Sequence, residues 1–116
     1  MASIPLSQHR SHGDLIFTAG QLGLEPDGTI SPDFGRQMTL AMDSLQARLE
    51  AAGSSLAHVL KITVFIVDRE DFAQMNEIYA RYFAEPFPAR TTLITELALP
   101  GLLFEIEAVA ERAADA

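Results

Sequence analysis

One arginine and two glutamates near the C-terminal end are the side chains best suited to chemistry in this sequence. Arg90 closes the segment Phe87-Pro88-Ala89-Arg90, and Glu105-Ile106-Glu107 lies on what reads as the next strand. Arginine binds a carboxylate well because its planar guanidinium donates two parallel charge-assisted hydrogen bonds. A nearby glutamate accepts protons or holds a water. The pattern therefore predicts a small-molecule site for an anionic substrate.

The composition argues against several other classes of function. The net charge is −8 with only 8 Lys and Arg residues, which opposes nucleic-acid binding because that binding depends on basic side chains neutralising phosphates. There is no Cys, so disulfides, thiolate nucleophiles and zinc–thiolate sites are excluded. The apolar runs are too short to span a membrane, and the N-terminus has no signal-peptide pattern. We expect one domain over residues 1–116, located in the cytoplasm, without nucleic-acid or membrane partners.

The hydrophobic periodicity predicts two helices between segments of strand. The first helix is expected to have Ser31 as its N-cap and to end at Gly53. The second is expected to be capped by Asp71 and to run through Phe83. Strands are predicted over residues 15–19, 21–24, 59–67, 91–96 and 104–111. The order β-β-α-β-α-β-β predicts an α+β fold in which two helices pack on a single face of one sheet.

Alternation along residues 104–111 assigns their side chains to opposite faces of the sheet. Phe104 and Ile106 should face the helices, which places Glu105 and Glu107 on the other face. Residues such as Phe65 make that second face more apolar than contact with solvent would favour. We therefore expect the face to be covered by further copies of the chain, since closed homo-oligomers are common.

The chain resembles the YjgF/RidA family of small trimeric proteins, the reactive-intermediate deaminases. The resemblance runs from about Pro5 to Ala110. The segments that carry it are Phe17-Thr18-Ala19-Gly20-Gln21, Ala51-Ala52-Gly53-Ser54-Ser55, Lys61-Ile62-Thr63-Val64-Phe65, Asp71-Phe72, Asn76-Glu77-Ile78-Tyr79, Phe87-Pro88-Ala89-Arg90 and Glu105-Ile106-Glu107-Ala108.

The resemblance implies a chorismate-mutase-like fold with a single mixed sheet, a homotrimer, and active sites in clefts between subunits. Members of the family hydrolyse enamines and imines, such as 2-aminoacrylate and other 2-imino acids, to 2-keto acids and ammonia. Neither a metal nor a cofactor takes part. By resemblance, Arg90 binds the substrate carboxylate and Glu105 positions or activates the hydrolytic water. The positions that line the pocket by the same resemblance are Ala19, Gly20, Asn76 and Thr92.

Two positions depart from the family pattern and leave alternatives open. Ala19 stands where the family often has Ser, and Leu6 aligns with a Tyr, so two hydroxyls are missing. The chain is accordingly read as a general deaminase, a deaminase specific to one pathway, or a carboxylate-binding protein without catalysis. In a structural reading, Arg90 pairs with Glu105 or Glu107 at a subunit interface, and Glu107 is the more structural of the two acids.

His9 and His12 are spaced three residues apart and raise the question of a metal site. Their segment is not convincingly helical, and no third ligand is placed nearby. We expect no bound metal.

Overall fold

The chain folds into one mixed sheet with two helices packed on a single face. The computed structural model describes residues 4–114. In chain order its elements are β1 (His9–His12), β2 (Leu15–Thr18), β3 (Gln21–Leu22), α1 (Phe34–Ala51), β4 (Val59–Ile66), α2 (Phe72–Tyr79), β5 (Ala89–Ile94) and β6 (Phe104–Glu111). The strand order is β1-β2-β6-β4-β5, and β3 also pairs with β6. The predicted fold class is confirmed.

The pairing of β4 with both of its neighbours decides the architecture. β4 runs parallel to β5 and antiparallel to β6. The parallel connection needs a crossover, and α2 provides it. As a consequence, β5 and β6 follow one another in the chain but are separated by β4 in the sheet.

The strand β1 is an addition to the predicted elements. It pairs with β2 in an antiparallel hairpin, in which His12 lies opposite Leu15. Gly13 turns the chain between them with a φ of 59°, which glycine adopts without a Cβ penalty. The strand was not predicted because its residues are polar and show no apolar alternation.

Helix α1 begins two residues later than predicted and ends where expected. Asp33, not Ser31, is the N-cap, and its carboxylate accepts a hydrogen bond of 2.8 Å from the backbone N–H of Arg36. At the other end Gly53 adopts a φ of 87°. Its N–H donates to the carbonyl of Glu50, and the next N–H donates to the carbonyl of Leu49, so the helix closes in a Schellman motif.

Helix α2 is shorter than predicted because the chain turns after Tyr79. Asp71 precedes the helix but its side chain makes no capping hydrogen bond. The turn allows Phe83 to fold back, so that its ring lies 4.6 Å from the ring of Tyr79 and is 7% exposed. Phe72, the first residue of the helix, is 42% exposed.

The core lies between the helices and the inner face of the sheet. The alternation predicted for β6 is confirmed, with Phe104, Ile106, Ala108 and Ala110 all buried. In β4 a bulge between Val59 and Lys61 shifts the alternation. Leu60 is exposed as a result, although regular alternation would place it on the same face as the buried Ile62. Among residues 4–114, no helix is long and apolar enough to cross a membrane.

Gln37 of α1 is a buried polar residue that fixes the chain leading into β6. Its Nε2 donates to the carbonyls of Ser31 at 2.7 Å and Gly101 at 2.9 Å. Its Oε1 accepts from the N–H of Leu103 at 2.8 Å. All the polar groups involved are thereby satisfied within the interior. Since Leu103 directly precedes β6, the same contacts set where Glu105 lies.

Replacing Gln37 with Met should destabilise the protein by about 3 kcal/mol, because the volume is kept while buried backbone groups lose their partners. The free energy of unfolding in urea, compared at equal protein concentration, measures the effect. The control is Gln46→Met on the same helix, since Gln46 bonds only to Glu50 at 3.3 Å on the surface. Equal stability of the two variants would contradict the role assigned to Gln37.

Candidate functional site

Arg90 lies on the edge strand β5 and points toward the helices. It is paired with Ile62 of β4, whose side chain is fully buried beneath the helix layer. The guanidinium carbon of Arg90 lies 4.8 Å from the centroid of the Tyr79 ring, at the end of α2. A cation at this distance over an aromatic face is attracted by the ring quadrupole. The Tyr79 ring therefore holds the guanidinium of Arg90 through a cation–π contact.

A cavity of about 290 Å³ opens beside this pair. Its walls are formed by Tyr79, Ala80, Phe87, Pro88 and Arg90. The walls are mostly apolar and contain one cationic side chain. A cavity of this kind suits a small molecule with one carboxylate and a short apolar body.

The guanidinium of Arg90 has no acceptor among residues 4–114, so its donors are available to a ligand. Arg36 provides a contrast within the same chain. Its guanidinium is bound by Glu25 through two hydrogen bonds of 2.9 Å and 2.8 Å. The bidentate geometry that Arg36 uses within the protein is the one that Arg90 can offer to a substrate carboxylate.

Two more of the predicted site residues lie, like Arg90, on the helix-covered side of the sheet. Thr92 follows Arg90 by two residues on β5 and is paired with Val64, which is buried under the helices. Asn76 lies on α2, one helical turn before Tyr79, and is half-buried. Arg90, Thr92 and Asn76 therefore form a first group at the β5 edge.

Glu105 belongs to a second group on the opposite face of the sheet. Its neighbours Phe104 and Ile106 are fully buried, so its own side chain points away from the helices. Gly20 packs directly against it: a Cβ at that position would overlap Oε2 and lie 2.9 Å from Cδ of Glu105. Gly20 therefore permits this position of the Glu105 carboxylate, which would have to move if a larger residue replaced the glycine.

Ala19 is held next to Gly20 by its backbone. Its N–H donates to the carbonyl of Gln8 at 2.8 Å, and its own carbonyl accepts from Nε2 of Gln21 at 3.0 Å. Leu6 and Gly20 line a second cavity, of about 610 Å³. Both positions are thus apolar in this chain: Ala19 is next to Gly20 in the sequence, and Leu6 lines the same cavity as Gly20.

The surroundings of Glu105 favour its protonated form. Burial raises the pKa of Glu105, and the negative charge of Glu107, two residues along the same face, raises it further. A carboxyl group with such a pKa holds a proton closer to neutrality than an exposed glutamate does. This property suits a group that exchanges protons with a bound water.

The two groups do not meet within one protomer. Arg90 and Glu105 lie two strands and three residues apart, a separation of about 14 Å between their Cα atoms from standard strand spacings. Their side chains also point to opposite faces of the sheet. Arg90 and the two glutamates of one chain therefore do not form a single site, because β4 lies between their strands and the register places Arg90 and Glu105 on opposite faces.

Tyr79 contacts Arg90 but is not among the site residues predicted from the sequence. It is buried, with 6% of its surface exposed, but its ring also faces Arg90. No local sequence signal marks this contact, because it depends on which strand forms the edge beside α2.

The histidine pair considered as a metal site lies on β1. His9 and His12 are three residues apart on a strand, so they point to opposite faces. Among residues 4–114, no cluster of three His, Asp or Glu side chains is placed to hold a metal ion.

Comparison with known proteins identifies the family. A family model described as endoribonuclease L-PSP matches residues 1–112. The chain belongs to this family, which is the YjgF/RidA family. A RutC family protein of Pyrococcus horikoshii is 41% identical over 108 residues, which cover 91% of this chain and 86% of the relative. TdcF of Escherichia coli K12, described provisionally as a reactive intermediate deaminase, is 36% identical over 114 residues, covering 95% and 88%.

Solved structures of the same family have the same fold. The crystal structure of E. coli TdcF with bound serine has a TM-score of 0.87 at 35% identity, covering 97% of this chain and 91% of TdcF. The crystal structure of RidA from an Antarctic Psychrobacter also has a TM-score of 0.87, at 32% identity, covering 96% and 91%.

Replacing Glu107 with Gln should lower the pKa of Glu105, because a neighbouring negative charge is removed. The pKa should stay above the usual value for glutamate, since burial, the larger cause, persists. A titration of ¹³C-labelled carboxyl groups followed by NMR measures this. Glu111→Gln, an exposed position on the same strand, is the control and should leave Glu105 unchanged. A Glu105 pKa that does not respond to Glu107→Gln would contradict the assigned repulsion.

Proposed function

We propose that this protein is a reactive-intermediate deaminase that hydrolyses 2-imino and enamine acids of the 2-aminoacrylate type to 2-keto acids and ammonia. The observation that carries the proposal is the guanidinium of Arg90, which lies over Tyr79 at the mouth of an apolar cavity and has no acceptor within the described part of the chain, residues 4–114. Family membership and the similarity to TdcF support it.

The active site in this proposal is shared between copies of the chain. Arg90 and Glu105 lie too far apart within a protomer to act on one small molecule. The face that carries Glu105 also has apolar residues along it, among them Phe17 at 43% and Leu93 at 45% exposure. Burial of this face between copies in a homotrimer would bring Glu105 of one copy toward Arg90 of the next.

The proposed reaction depends more on the orientation of the substrate and the water than on strong chemical activation of either. Arg90 binds the carboxylate and so fixes the position of the imine carbon. Glu105 orients a water and accepts its proton while the oxygen bonds to that carbon. Glu105 then passes this proton to the nitrogen, the carbon–nitrogen bond breaks and ammonia leaves, and the remaining hydroxyl gives its proton to Glu105 or to water as the carbonyl forms. No metal or cofactor is required by these steps.

A carboxylate-binding protein without catalysis is the second candidate. The observation in its favour is that Ala19 and Leu6 provide no hydroxyl near Gly20. A deaminase restricted to one pathway is a closer variant of the main proposal, and the apolar residues at these positions are where its selectivity would arise. RNA cleavage, suggested by the description of the family model, is disfavoured by the net charge of −8.

The Arg90→Ala variant should lower kcat/KM for 2-iminobutanoate by about 100-fold, because the charge-assisted bonds to the carboxylate are lost. The imine is generated in situ by an amino-acid oxidase, and the formation of 2-oxobutanoate is followed with and without the protein. Arg36→Ala is the control, since Arg36 is engaged with Glu25. Near-normal turnover by Arg90→Ala would refute the anchor. Binding of 2-oxobutanoate by a wild type that does not accelerate hydrolysis would favour the second candidate.

Mixing two inactive variants should restore activity if the site is shared. Arg90→Ala and Glu105→Gln chains are co-expressed with different tags, and assemblies that carry both tags are purified. A homotrimer that contains both kinds of chain has an intact arginine facing an intact glutamate at one of its three inter-subunit sites, so about a third of the wild-type activity should return. Activity no higher than that of the separate variants would contradict a shared site.

A further inference from the structure

Tyr79 contacts Arg90, although no step of the proposed reaction uses Tyr79. We propose that Tyr79 is the positioning residue that holds the guanidinium of Arg90 ready for a carboxylate ligand. The inference rests on the proposed role of Arg90 as an anion anchor. It concerns the binding step, and the binding of a 2-keto acid tests it separately from hydrolysis.

The way in which Tyr79 contacts Arg90 leaves the donors of the guanidinium free. An arginine held by a carboxylate, as Arg36 is held by Glu25, has used the N–H groups that a ligand would need. An aromatic face attracts the cation without accepting those hydrogen bonds. Tyr79 thus restricts a long, flexible side chain while its full binding capacity is kept, which lowers the entropy lost on binding.

Tyr79 is itself rigidly held, as a positioning residue must be. Its ring packs on that of Phe83 at 4.6 Å between centroids, with 34° between the planes. It ends α2, and it is 6% exposed. Phe83, Tyr79 and Arg90 therefore form a stack that extends from the core to the edge of the sheet, beside the cavity of about 290 Å³.

The hydroxyl group of Tyr79 is separable from this role. It is buried and has no hydrogen-bond partner among residues 4–114. Burial raises the pKa of Tyr79, while the nearby charge of Arg90 acts in the opposite direction. Because the ring and not the hydroxyl contacts the guanidinium, Phe should replace Tyr79 in function.

The first experiment measures the affinity for 2-oxobutanoate by calorimetry. Tyr79→Phe should bind within about 2-fold of the wild type, and Tyr79→Leu should bind about 10-fold more weakly, the range expected for a lost cation–π contact. In imine hydrolysis, Tyr79→Leu should raise KM while kcat changes far less. Tyr82→Leu is the matched control: Tyr82 is a partly buried tyrosine three residues later whose hydroxyl bonds to Asp43 at 3.3 Å. Equal affinity of Tyr79→Leu and wild type would overturn the inference.

The second experiment separates attraction to the ring from simple packing. Tyr79 is replaced first by phenylalanine and then by phenylalanine analogues with increasing numbers of fluorine atoms. The fluorine atoms weaken the negative face of the ring with little change in its size. Affinity for 2-oxobutanoate should fall steadily along the series, and a constant affinity would refute the role. Since every member keeps an aromatic ring, the series also decides the matter if Tyr79→Leu fails to fold. If the wild type does not hydrolyse the imine but affinity for 2-oxobutanoate still falls along the fluorine series, only the deaminase proposal is contradicted.

Discussion

The position of β4 between β5 and β6 is the constraint on which the rest of this structure depends. The chain pairs β4 in parallel with β5 and antiparallel with β6. Arg90 is paired with Ile62 of β4 and Glu105 with Phe65, three residues further along, so their side chains lie on opposite faces of the sheet. A single chain consequently has one half of the proposed site around Arg90 and the other around Glu105, and the two halves do not meet. Any chemistry that uses both halves must take place where two copies come together.

Each half is prepared by contacts that are complete within one chain. Glu105 is placed through Gln37, which holds the chain just before β6, and through Gly20, which leaves space for its carboxylate. Arg90 is placed by the ring of Tyr79. In the proposed homotrimer, association would need to align two preformed halves and would not need to fold them. This division of labour keeps the ordering cost of the assembled site low.

Local patterns explain which parts of this molecule could be predicted from its sequence. The inward and outward faces of β6 follow from strict alternation, and Gly53 marks the end of α1 because only glycine adopts its φ of 87° without strain. The polar strand β1 and the bulge that exposes Leu60 have no comparable local signal. The contact between Tyr79 and Arg90 depends on strand order, a non-local property that periodicity does not contain.

The electrostatics of the two halves restrict the kind of molecule that can bridge them. The protein carries a net charge of −8, and Glu105 and Glu107 lie on one face of the sheet, where burial and then the charge of Glu107 raise the pKa of Glu105. In the proposed shared site a substrate carboxylate would be repelled by Glu107 and attracted to Arg90, which would give an anionic substrate one favourable orientation. Its uncharged or cationic end, where an imine nitrogen would lie, then points toward the glutamates. An iminium ion with a carboxylate at the adjacent carbon matches this pattern at both ends, whereas a dianion or a polyphosphate would match only the half that contains Arg90.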